Sequence, residues 1–298
     1  MEKALITGGA GFIGHHLANE LIKLNYKVNI LDNLSTGKKS NIPKKSKFFY
    51  GDINNKKLLH KATKNCDIIF HLAACTELQK SIFFPDQTMQ DNVISTLNVI
   101  KICMKKKIKL VFASSCSVYD LNAKKKLEES KNVNPKNPYA MSKFFSEELI
   151  KFYSTNFKLK YNILRFFNVF GKSQNSNGDY AAVLPKFIQS AKKNSTLYLH
   201  NNGSQTRDFV HVKDIVKALI LTISTSKNLT VNIGSGKSTT IKNLANMIVN
   251  KFKSGRIKKG LNLKSNAKFS CANLKNAKKH LNFVPTYSIE DYLNEIKF

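Results

Sequence analysis

The stretch from residue 3 to residue 14 constrains the fold of this chain more than any other part of the sequence. Residues 4–6 form a short apolar run that is long enough for a buried strand. The run is followed by three glycines at a spacing of three, Gly8, Gly11 and Gly14. From residue 15 to residue 24, apolar side chains recur at the spacing of one helix face. The stretch therefore predicts a strand, a glycine-rich turn and a helix.

A turn of this kind is suited to holding the pyrophosphate of a dinucleotide. Gly8 can adopt the backbone angles of a tight turn, Gly11 has no Cβ to obstruct a pyrophosphate, and Gly14 lets helix and strand pack closely. The helix N-terminus offers free N–H groups and a positive dipole end. We therefore expect Phe12 and Ile13, between the last two glycines, to contact the same cofactor.

A second predicted strand covers residues 27–31 and ends at Asp32. An acidic side chain at this place accepts hydrogen bonds from the adenine ribose and repels a 2′-phosphate, which favours NAD over NADP. The alternative is a surface turn whose aspartate starts a helix. Because the glycines, the helix and the acidic strand end occur together, the sequence favours dinucleotide binding.

The length and the cysteine content limit the class of protein. The 298 residues suffice for one large domain or two interlocked ones. No apolar run approaches the roughly 20 residues that cross a membrane, and Glu2 and Lys3 lead directly into the first strand, so we expect no signal peptide. Five cysteines without a CxxC pair predict reduced thiols in the cytoplasm and no metal site.

The formal net charge of +30 permits two interpretations. A strongly basic chain can bind nucleic acid or an anionic membrane surface. Here, however, the lysines come as scattered doublets and triplets, and no basic stretch carries the interleaved aromatics of a stacking platform. We therefore expect no nucleic-acid and no membrane partner, and a surface that attracts phosphorylated substrates.

Strands alternate with helices over the first part of the chain, with further predicted strands at 48–50, 67–72 and 110–113 and a helix at 92–104. This alternation predicts an α/β fold with a doubly wound parallel Rossmann sheet. Ligands lie at the carboxyl ends of such strands, where we expect Gly8, Asp32, Asp52, Ala73 and Ser114. Asp52 either meets the adenine or caps the helix that begins near Asn54. Ala73 and Ala74 are small enough for a cofactor to lie flat across their strand end.

A tyrosine and a lysine open the next predicted helix, which covers residues 137–157. Tyr139 and Lys143 are four residues apart and share one helix face. A free phenol has a pKa of about 10, and a nearby ammonium with a positive nicotinamide ring lowers it. Such pairs occur on ordinary helices, but beside a dinucleotide fold and the serine cluster at residues 114–117 this one predicts a phenol that acts as a base.

Several segments of the chain occur together in one known family. They are TGGAGFIG (7–14), LDNLSTG (31–37), GDI (51–53), HLAA (71–74), NV (92–93), SS with VY (114–119), YAMSK (139–143), RFFNVFG (165–171), RDFVHVKD (207–214) and NIG (232–234). With these segments the chain resembles the extended short-chain dehydrogenase/reductases, in particular the NAD-dependent nucleotide-sugar epimerase/dehydratase group. The resemblance covers nearly the whole chain.

The resemblance implies a catalytic set and a cofactor site. Tyr139 would take the proton from the sugar 4-hydroxyl, Lys143 would hold the nicotinamide ribose, and Ser115 would hydrogen-bond the C4 oxygen. The cofactor would be NAD, which receives the C4 hydride and returns it to the opposite face. The cofactor contacts implied are Gly8, Gly11, Phe12, Ile13, Gly14, Asp32, Asn33, Asp52, Ile53, Leu72, Ala73, Ala74, Asn92, Tyr139 and Lys143.

The resemblance also narrows the reaction. Dehydratases of the family carry an Asp-Glu pair just after the catalytic Ser or Thr, and the decarboxylases carry a nearby Glu. This chain has Cys116 and Ser117 there, which favours a 4-epimerase of UDP-hexoses or their N-acetylated forms. The alternatives are another nucleotide-sugar reductase or dehydrogenase that oxidises C4, and a non-catalytic module that keeps NAD as a ligand.

The implied substrate contacts are Thr76, Ser115, Asn168, His200, Arg207 and Ser270. Arg207 would bind the diphosphate through its fork, although a surface salt bridge to Asp208 is the alternative. His200 falls beside the expected uracil, and the small Ser270 would admit an N-acetyl group at C2. The family's second diphosphate-binding arginine aligns with Leu263. Either Lys264 or Arg256 takes its place, or the diphosphate is bound less tightly.

The resemblance finally implies an organisation and an assembly. Residues 1–167, with 209–234 returning to them, would form the NAD-binding domain, and residues 168–298 a smaller α/β domain that binds the nucleotide sugar. Relatives commonly dimerise through the helices at 92–104 and 139–157, so we expect a homodimer. The expected location is the cytoplasm.

Overall fold

The computed structural model describes residues 2–122, 125–131, 133–176, 182–262 and 268–297. Its strands are β1 (Lys3–Thr7), β2 (Lys27–Asp32), β3 (Lys47–Tyr50), β4 (Ile68–His71), β5 (Lys109–Ser115), β6 (Tyr161–Phe166), β7 (Asn168–Phe170), β8 (Thr196–Leu199), β9 (Thr206–Arg207), β10 (Phe209–His211), β11 (Leu229–Ile233), β12 (Thr239–Thr240) and β13 (Arg256–Lys259). Its α-helices are α1 (Phe12–Lys23), α2 (Lys56–Ala62), α3 (Leu78–Phe83), α4 (Pro85–Met89), α5 (Ser95–Lys106), α6 (Pro138–Phe157), α7 (Val183–Lys192), α8 (Val212–Ser224), α9 (Ile241–Phe252), α10 (Lys275–Leu281) and α11 (Ile289–Glu295).

The central sheet is parallel and follows the order β3-β2-β1-β4-β5-β6-β11. Thr7, the last residue of β1, pairs with Leu31 on one side and with His71 on the other. The chain therefore winds in one direction from β1 to β3 and in the other from β4 onward. This reversal leaves a crevice at the carboxyl ends of β1 and β4, which is where ligands bind in sheets of this type.

Alternate residues of the strands face the two layers of helices. Ala4 and Ile6 belong to the same apolar core as Leu17 of α1 and Ile215 of α8. Leu5, between them, belongs to a second core with helices α2, α5 and α6. Strands that are buried on both faces read as continuous apolar runs, which is why the sequence predicted them well. The structure thus confirms the predicted doubly wound α/β fold.

A third apolar core lies in a smaller region of α/β structure. This region contains short strand pairs, in which β8 is parallel to β13 and β9 is antiparallel to β12. Leu197 and Leu199 of β8 pack there with α7, α9 and α11 through Phe187, Leu244 and Leu293. β11 returns from this part of the chain to the edge of the central sheet. The division into domains at residue 167 stays a prediction.

Helix α6 begins as its sequence predicts. Asn137 is the N-cap and accepts a hydrogen bond from the Ala140 N–H at 2.9 Å, and Pro138 is the first helical residue. The helix ends at Lys158, which adopts a left-handed conformation with φ of 60°. Among the described residues, no helix is both long and apolar enough to span a membrane.

Two predicted boundaries differ from the structure. Ser114 and Ser115 lie inside β5 and do not follow it, because the strand continues to pair with β6 as far as Phe166. The helix predicted at 92–104 begins earlier, with a π-helical turn over Gln90–Ile94 that runs into α5. Turns of this type insert one extra residue and are frequent at functional sites.

Candidate active site

The glycine turn between β1 and α1 forms an open cradle. Gly8 has a φ of +71°, and a Cβ on it would lie 2.8 Å from the backbone nitrogen of Ala73. A Cβ on Gly14 would lie 2.2 Å from the Gly8 carbonyl oxygen, so helix and turn touch there. A Cβ on Gly11 would meet only that same oxygen among the described residues, at 3.2 Å. Gly11 therefore faces open space at the N-terminus of α1, and a pyrophosphate fits against it.

Asp32 closes the cradle from the end of β2. Its carboxylate is 8% exposed and accepts hydrogen bonds from the N–H groups of Ala10 (2.9 Å) and Leu34 (2.8 Å). A carboxylate has about four lone-pair positions, so two more hydrogen bonds can be accepted from ribose hydroxyls. The residues of the cradle thus fit a dinucleotide.

Asp52 does not cap the following helix. The N-cap of α2 is Asn55, which accepts from the Leu58 N–H at 3.1 Å. Asp52 accepts from the Asn54 N–H at 2.7 Å and from the Asn33 side-chain amide at 3.2 Å. The helix-cap alternative is therefore wrong, because the chain makes a further turn before α2 begins. Asp52 and Asn33 together form a polar edge beside Asp32, next to the buried Ile53.

A buried histidine joins the two strands at the crevice, and the sequence analysis did not single it out. His71 Nδ1 lies 2.8 Å from the Thr7 hydroxyl, and Nε2 lies 3.0 Å from the Thr96 hydroxyl on α5. Burial lowers the pKa of His71 to about 3. The ring is therefore neutral and holds β1, β4 and α5 together. The next residues, Leu72 to Ala74, are partly exposed at the mouth of the crevice.

Asn92 lies in the π-helical turn and is 2% exposed. Its side-chain oxygen accepts from the Cys75 N–H at 2.8 Å, and its amide donates to the Cys75 carbonyl at 3.0 Å and to the Ser142 hydroxyl at 2.8 Å. Asn92 therefore ties the loop after β4 to helix α6, one residue before Lys143. Thr76, the next residue of that loop, is exposed.

Ser115, Tyr139 and Lys143 come together where α6 crosses the end of β5. The Ser115 hydroxyl hydrogen-bonds the Tyr139 phenol. The Lys143 ammonium is 3% exposed, donates to the Ala113 carbonyl at 2.9 Å and lies 4.9 Å from the centre of the Phe112 ring. The strand thus supplies the serine, and the helix supplies the phenol and the amine.

Burial moves the two titrating groups of this set in opposite directions. Part of the Tyr139 side chain stays accessible, yet desolvation raises the pKa of its phenol to about 12, while the Ser115 hydrogen bond lowers it. Burial lowers the pKa of Lys143 to about 8, and Glu147 raises it. Without the cofactor, desolvation is the largest influence on the phenol. The predicted lowering of its pKa by Lys143 together with the nicotinamide ring stays a prediction.

A buried ion pair lies directly behind the catalytic set. Arg165 of β6 is 1% exposed and binds the Glu147 carboxylate through Nε (2.9 Å) and Nη2 (2.6 Å). Glu147 also accepts from the Ser114 hydroxyl, and Arg165 Nη1 donates to the Tyr119 hydroxyl at 2.9 Å. The sequence analysis missed this pair, although Glu147 lies four residues after Lys143 and Arg165 opens a quoted segment.

Cys116 and Ser117, which follow Ser115 and which we call the wall beside Ser115, carry no carboxylate, although the buried Asp208 acts on the Cys116 thiol. Cys116 is 9% exposed, and burial raises the pKa of its thiol to about 12. Arg207 and Ser270 both lie near enough to that thiol to lower its pKa. Four buried side-chain oxygens, on Ser117, Gln205, Thr206 and Ser270, have no hydrogen-bond partner among the described residues. A ligand with hydroxyl groups would satisfy such atoms.

Arg207 forms no ion pair with Asp208 among the described residues, so the salt-bridge alternative is wrong. The Asp208 carboxylate instead accepts from the backbone N–H groups of Ser235, Gly236 and Ala272, at 2.6 to 3.0 Å. Arg207 Nη1 donates to the Thr206 carbonyl at 2.8 Å. Its side chain is held to its own strand, β9.

The other predicted substrate contacts are spread over the smaller region. The backbone N–H of Asn168 donates to the Asp208 carbonyl at 2.9 Å, and β7 pairs with β10 in parallel, with Asn168 opposite Phe209. His200 Nδ1 accepts from the Leu261 N–H at 3.0 Å. Arg256 is exposed on β13. Leu263 and Lys264 lie outside the described residues.

Known proteins are similar to this chain in both sequence and fold. Residues 4–234 match the NAD dependent epimerase/dehydratase family. A protein of Methanocaldococcus jannaschii, provisionally named a UDP-glucose 4-epimerase, is 41% identical over 247 residues, which cover 82% of this chain and 80% of that protein. A UDP-N-acetyl-alpha-D-glucosaminuronate decarboxylase of Bacillus cytotoxicus is 34% identical over 261 residues, which cover 82% of this chain and 78% of that protein.

The fold of a solved relative is nearly the same. The UDP-N-acetylglucosamine 4-epimerase of Methanobrevibacter ruminantium, in complex with UDP-N-acetylmuramic acid, superposes with a TM-score of 0.93 and 34% sequence identity. The match covers 98% of this chain and 97% of that one. The similarity therefore extends over the central sheet and the smaller region alike.

Proposed function

This chain belongs to the NAD dependent epimerase/dehydratase family, and from that premise we propose that it is a 4-epimerase of UDP-hexoses or UDP-N-acetylhexosamines. The observation that carries the proposal is the arrangement of Ser115, Tyr139 and Lys143 at the end of β5, where Cys116 and Ser117 and not a pair of carboxylates follow Ser115. The cofactor is NAD, as in the family. Gly8, Gly11 and the start of α1 would hold its pyrophosphate.

The residues of the site would work as follows. NAD, when bound, accepts the hydride from C4 of the sugar and returns it. Tyr139 takes the proton of the 4-hydroxyl as the general base, and Ser115 hydrogen-bonds the same oxygen. Lys143 holds the nicotinamide ribose and favours the phenolate. The 4-keto sugar then presents its opposite face, and Tyr139 gives the proton back, so the configuration at C4 is inverted.

The wall beside Ser115 favours an epimerase over a dehydratase or a decarboxylase. A dehydratase needs an acid and a base near C5 and C6 of the sugar. Cys116 cannot serve, since burial raises the pKa of its thiol to about 12, and the hydroxyl of Ser117 is buried. This argument separates the proposal from the decarboxylase among the relatives.

We propose that the nucleotide sugar is bound by Thr76, Asn168, His200, Arg207 and Ser270. Arg207 would bind the diphosphate, for which its planar fork is suited. Ser270 is fully buried and small, and we propose that its size leaves room for an N-acetyl group at C2. Turnover of UDP-glucose with none of UDP-N-acetylglucosamine would refute this last proposal.

We also propose a cytoplasmic homodimer. Its cysteines are free, which suits a reducing compartment. Large apolar side chains are exposed on α3, at its junction with α4, on the π-helical turn and on α6, and they are Leu78, Ile82, Phe83, Phe84, Ile94, Met141, Phe145, Phe152 and Phe157. We call these side chains the apolar face. An exposed set of this size marks a contact with another protein, and a second copy would cover it.

The decisive experiment is incubation with a panel of UDP- and dTDP-sugars, read by NMR for inversion at C4. We expect inversion of a UDP-sugar and no net formation of NADH, whereas NADH that accumulates would identify a dehydrogenase. Salt-sensitive RNA binding with no sugar turnover would identify a binding module.

The matching variant is Tyr139→Phe, which removes the phenol hydroxyl and keeps the ring. We expect NAD binding to persist and turnover to fall by about a thousandfold or more, because general acid–base catalysis contributes factors of that order. Tyr153→Phe, further along the same helix, serves as the control. Turnover by Tyr139→Phe at the rate of the control would contradict the assigned base.

A further inference from the structure

Glu147 and Arg165 form a buried ion pair that the proposed reaction does not use. The two side chains are 0% and 1% exposed, and two hydrogen bonds join them. Buried ion pairs are often no more stabilising than apolar residues of similar volume. Stability alone therefore gives a weak account of this pair.

Glu147 lies on α6 and Arg165 lies on β6. The pair is next to the set formed by Ser115, Tyr139 and Lys143. Glu147 follows Lys143 by one helical turn on α6, so both side chains face β5. Lys143 donates to the carbonyl of Ala113, and Glu147 accepts from the hydroxyl of Ser114. The two side chains thus fasten the helix to consecutive strand residues directly before Ser115.

We infer that Glu147 is a positioning residue for the catalytic pair: held by Arg165 and Ser114, it keeps Lys143 charged and fixed against the end of β5. Only one part of this inference, the role of Lys143 in the reaction, rests on the proposed function. Glu147 itself touches neither the sugar nor the cofactor, and it acts through the lysine.

The groups around Lys143 determine whether the loss of Glu147 raises or lowers the pKa of the lysine. The Phe112 ring faces it from β5, His71 from β4 and Cys75 from the following loop. His71 is neutral, because burial lowers its pKa to about 3. Burial lowers the pKa of Lys143 to about 8, and the carboxylate of Glu147 raises it. Without that carboxylate, Lys143 loses its proton at a lower pH.

The groups around Glu147 hold its carboxylate in place. Arg165 binds it from β6, and Lys151 lies 3.8 Å away on α6. Tyr119, which accepts from Arg165, and Tyr161 face the same cluster. The carboxylate is thus held by the Arg165 guanidinium and the Ser114 hydroxyl, and its charge acts on Lys143 from one helical turn away.

The test compares Glu147→Gln with Glu148→Gln in the full chain with NAD present. The two substitutions are chemically identical and adjacent, but Glu148 is 50% exposed and pairs with Lys151 at 2.7 Å. Side-chain NMR of lysine-labelled protein follows the titration of Lys143, assigned with Lys143→Met. We expect the midpoint to fall by about one pH unit in Glu147→Gln and to stay unchanged in Glu148→Gln.

A second variant protects the test against misfolding. Glu147→Gln leaves the buried charge of Arg165 without its partner, which is strongly destabilising. The double variant Glu147→Gln with Arg165→Met removes both charges. We expect the Lys143 midpoint to fall by less than in Glu147→Gln, because the repulsion by Arg165 is lost as well. A folded double variant whose Lys143 titrates as in the wild type would overturn the inference.

An activity measurement separates this inference from the proposed function. With a UDP-sugar that the wild type inverts, we expect the alkaline limb of kcat to move to lower pH in Glu147→Gln. The NMR titration needs no substrate. If no sugar is inverted, the proposed function fails, and the titration still decides the role of Glu147.

Discussion

At the scale of single residues, burial works against charge on both members of the proposed catalytic pair. Desolvation raises the pKa of Tyr139 to about 12 and lowers that of Lys143 to about 8, so each group is driven toward its neutral form. Two polar neighbours oppose this trend. The Ser115 hydroxyl favours the phenolate, and Glu147 favours the ammonium.

Ser115→Ala tests the first of these neighbours. Since the Ser115 hydrogen bond lowers the pKa of Tyr139, its loss raises that pKa. A base with a higher pKa is deprotonated only at higher pH, so the acidic limb of kcat/KM should move to higher pH. We expect turnover at neutral pH to fall by about 10² to 10⁴, the usual range for acid–base catalysis.

The control for this prediction is Ser154→Ala, at the far end of α6, where the hydroxyl accepts from Asn228 at 2.8 Å. Its pH profile should match that of the wild type. A uniform loss of activity in Ser115→Ala, with the acidic limb at its original pH, would mean that Ser115 only orients the sugar.

At the scale of elements, the β1–α1 turn joins close packing and the proposed pyrophosphate site in one short segment. Its glycines differ in what surrounds them. A Cβ on Gly14 would strike the Gly8 carbonyl at 2.2 Å and the Gly9 Cα at 2.7 Å, whereas a Cβ on Gly11 would approach one oxygen at 3.2 Å. The first position is closed by the protein, and the second opens toward the ligand.

Gly11→Ala and Gly14→Ala should therefore fail in different ways. Gly14→Ala should lower the free energy of unfolding by about 1–3 kcal/mol, as overpacking does. Gly11→Ala should fold almost normally but bind NAD about tenfold more weakly or worse, which corresponds to 1.4 kcal/mol or more. Urea unfolding and calorimetric titration with NAD measure the two effects. Equal NAD affinity in Gly11→Ala and the wild type would contradict the binding of the pyrophosphate at this turn.

At the scale of the whole molecule, the exposed apolar face stands out against a very basic surface. Phe83 is 68% exposed, Phe152 is 55% exposed and Phe157 is 54% exposed. Such side chains on neighbouring helices are unfavourable in water. A second copy of the chain that presents the same face would bury both sets at once, as a two-fold axis allows.

Phe152→Glu tests this assembly. We expect the wild type to be a dimer at micromolar concentration by light scattering or sedimentation, and Phe152→Glu to be a monomer, because the substitution buries a charge in the contact. Tyr198→Glu, at a side chain that is also 55% exposed but lies on β8, is the matched control. A wild-type monomer, or dissociation by both substitutions alike, would contradict the proposed contact.

Local patterns predicted the strands and helices around the glycine turn. Predicted strands at 27–31 and 48–50 are observed at Lys27–Asp32 and Lys47–Tyr50. Apolar runs and helical spacing are visible in the sequence because these elements bury whole faces in two large cores. The prediction was weaker at polar positions, as the helix cap wrongly offered for Asp52 illustrates.

The sequence by itself determined the doubly wound sheet, the glycine turn and the shared helix of Tyr139 and Lys143, since each depends on the order and spacing of residues along the chain. Only the tertiary structure decided that Arg165 pairs with Glu147, that His71 joins Thr7 to Thr96, and that burial raises the pKa of the Tyr139 phenol. The physical reason is that a buried polar group must find its partner wherever the fold brings one close. Such partners lie far apart along the chain, and no local pattern records them.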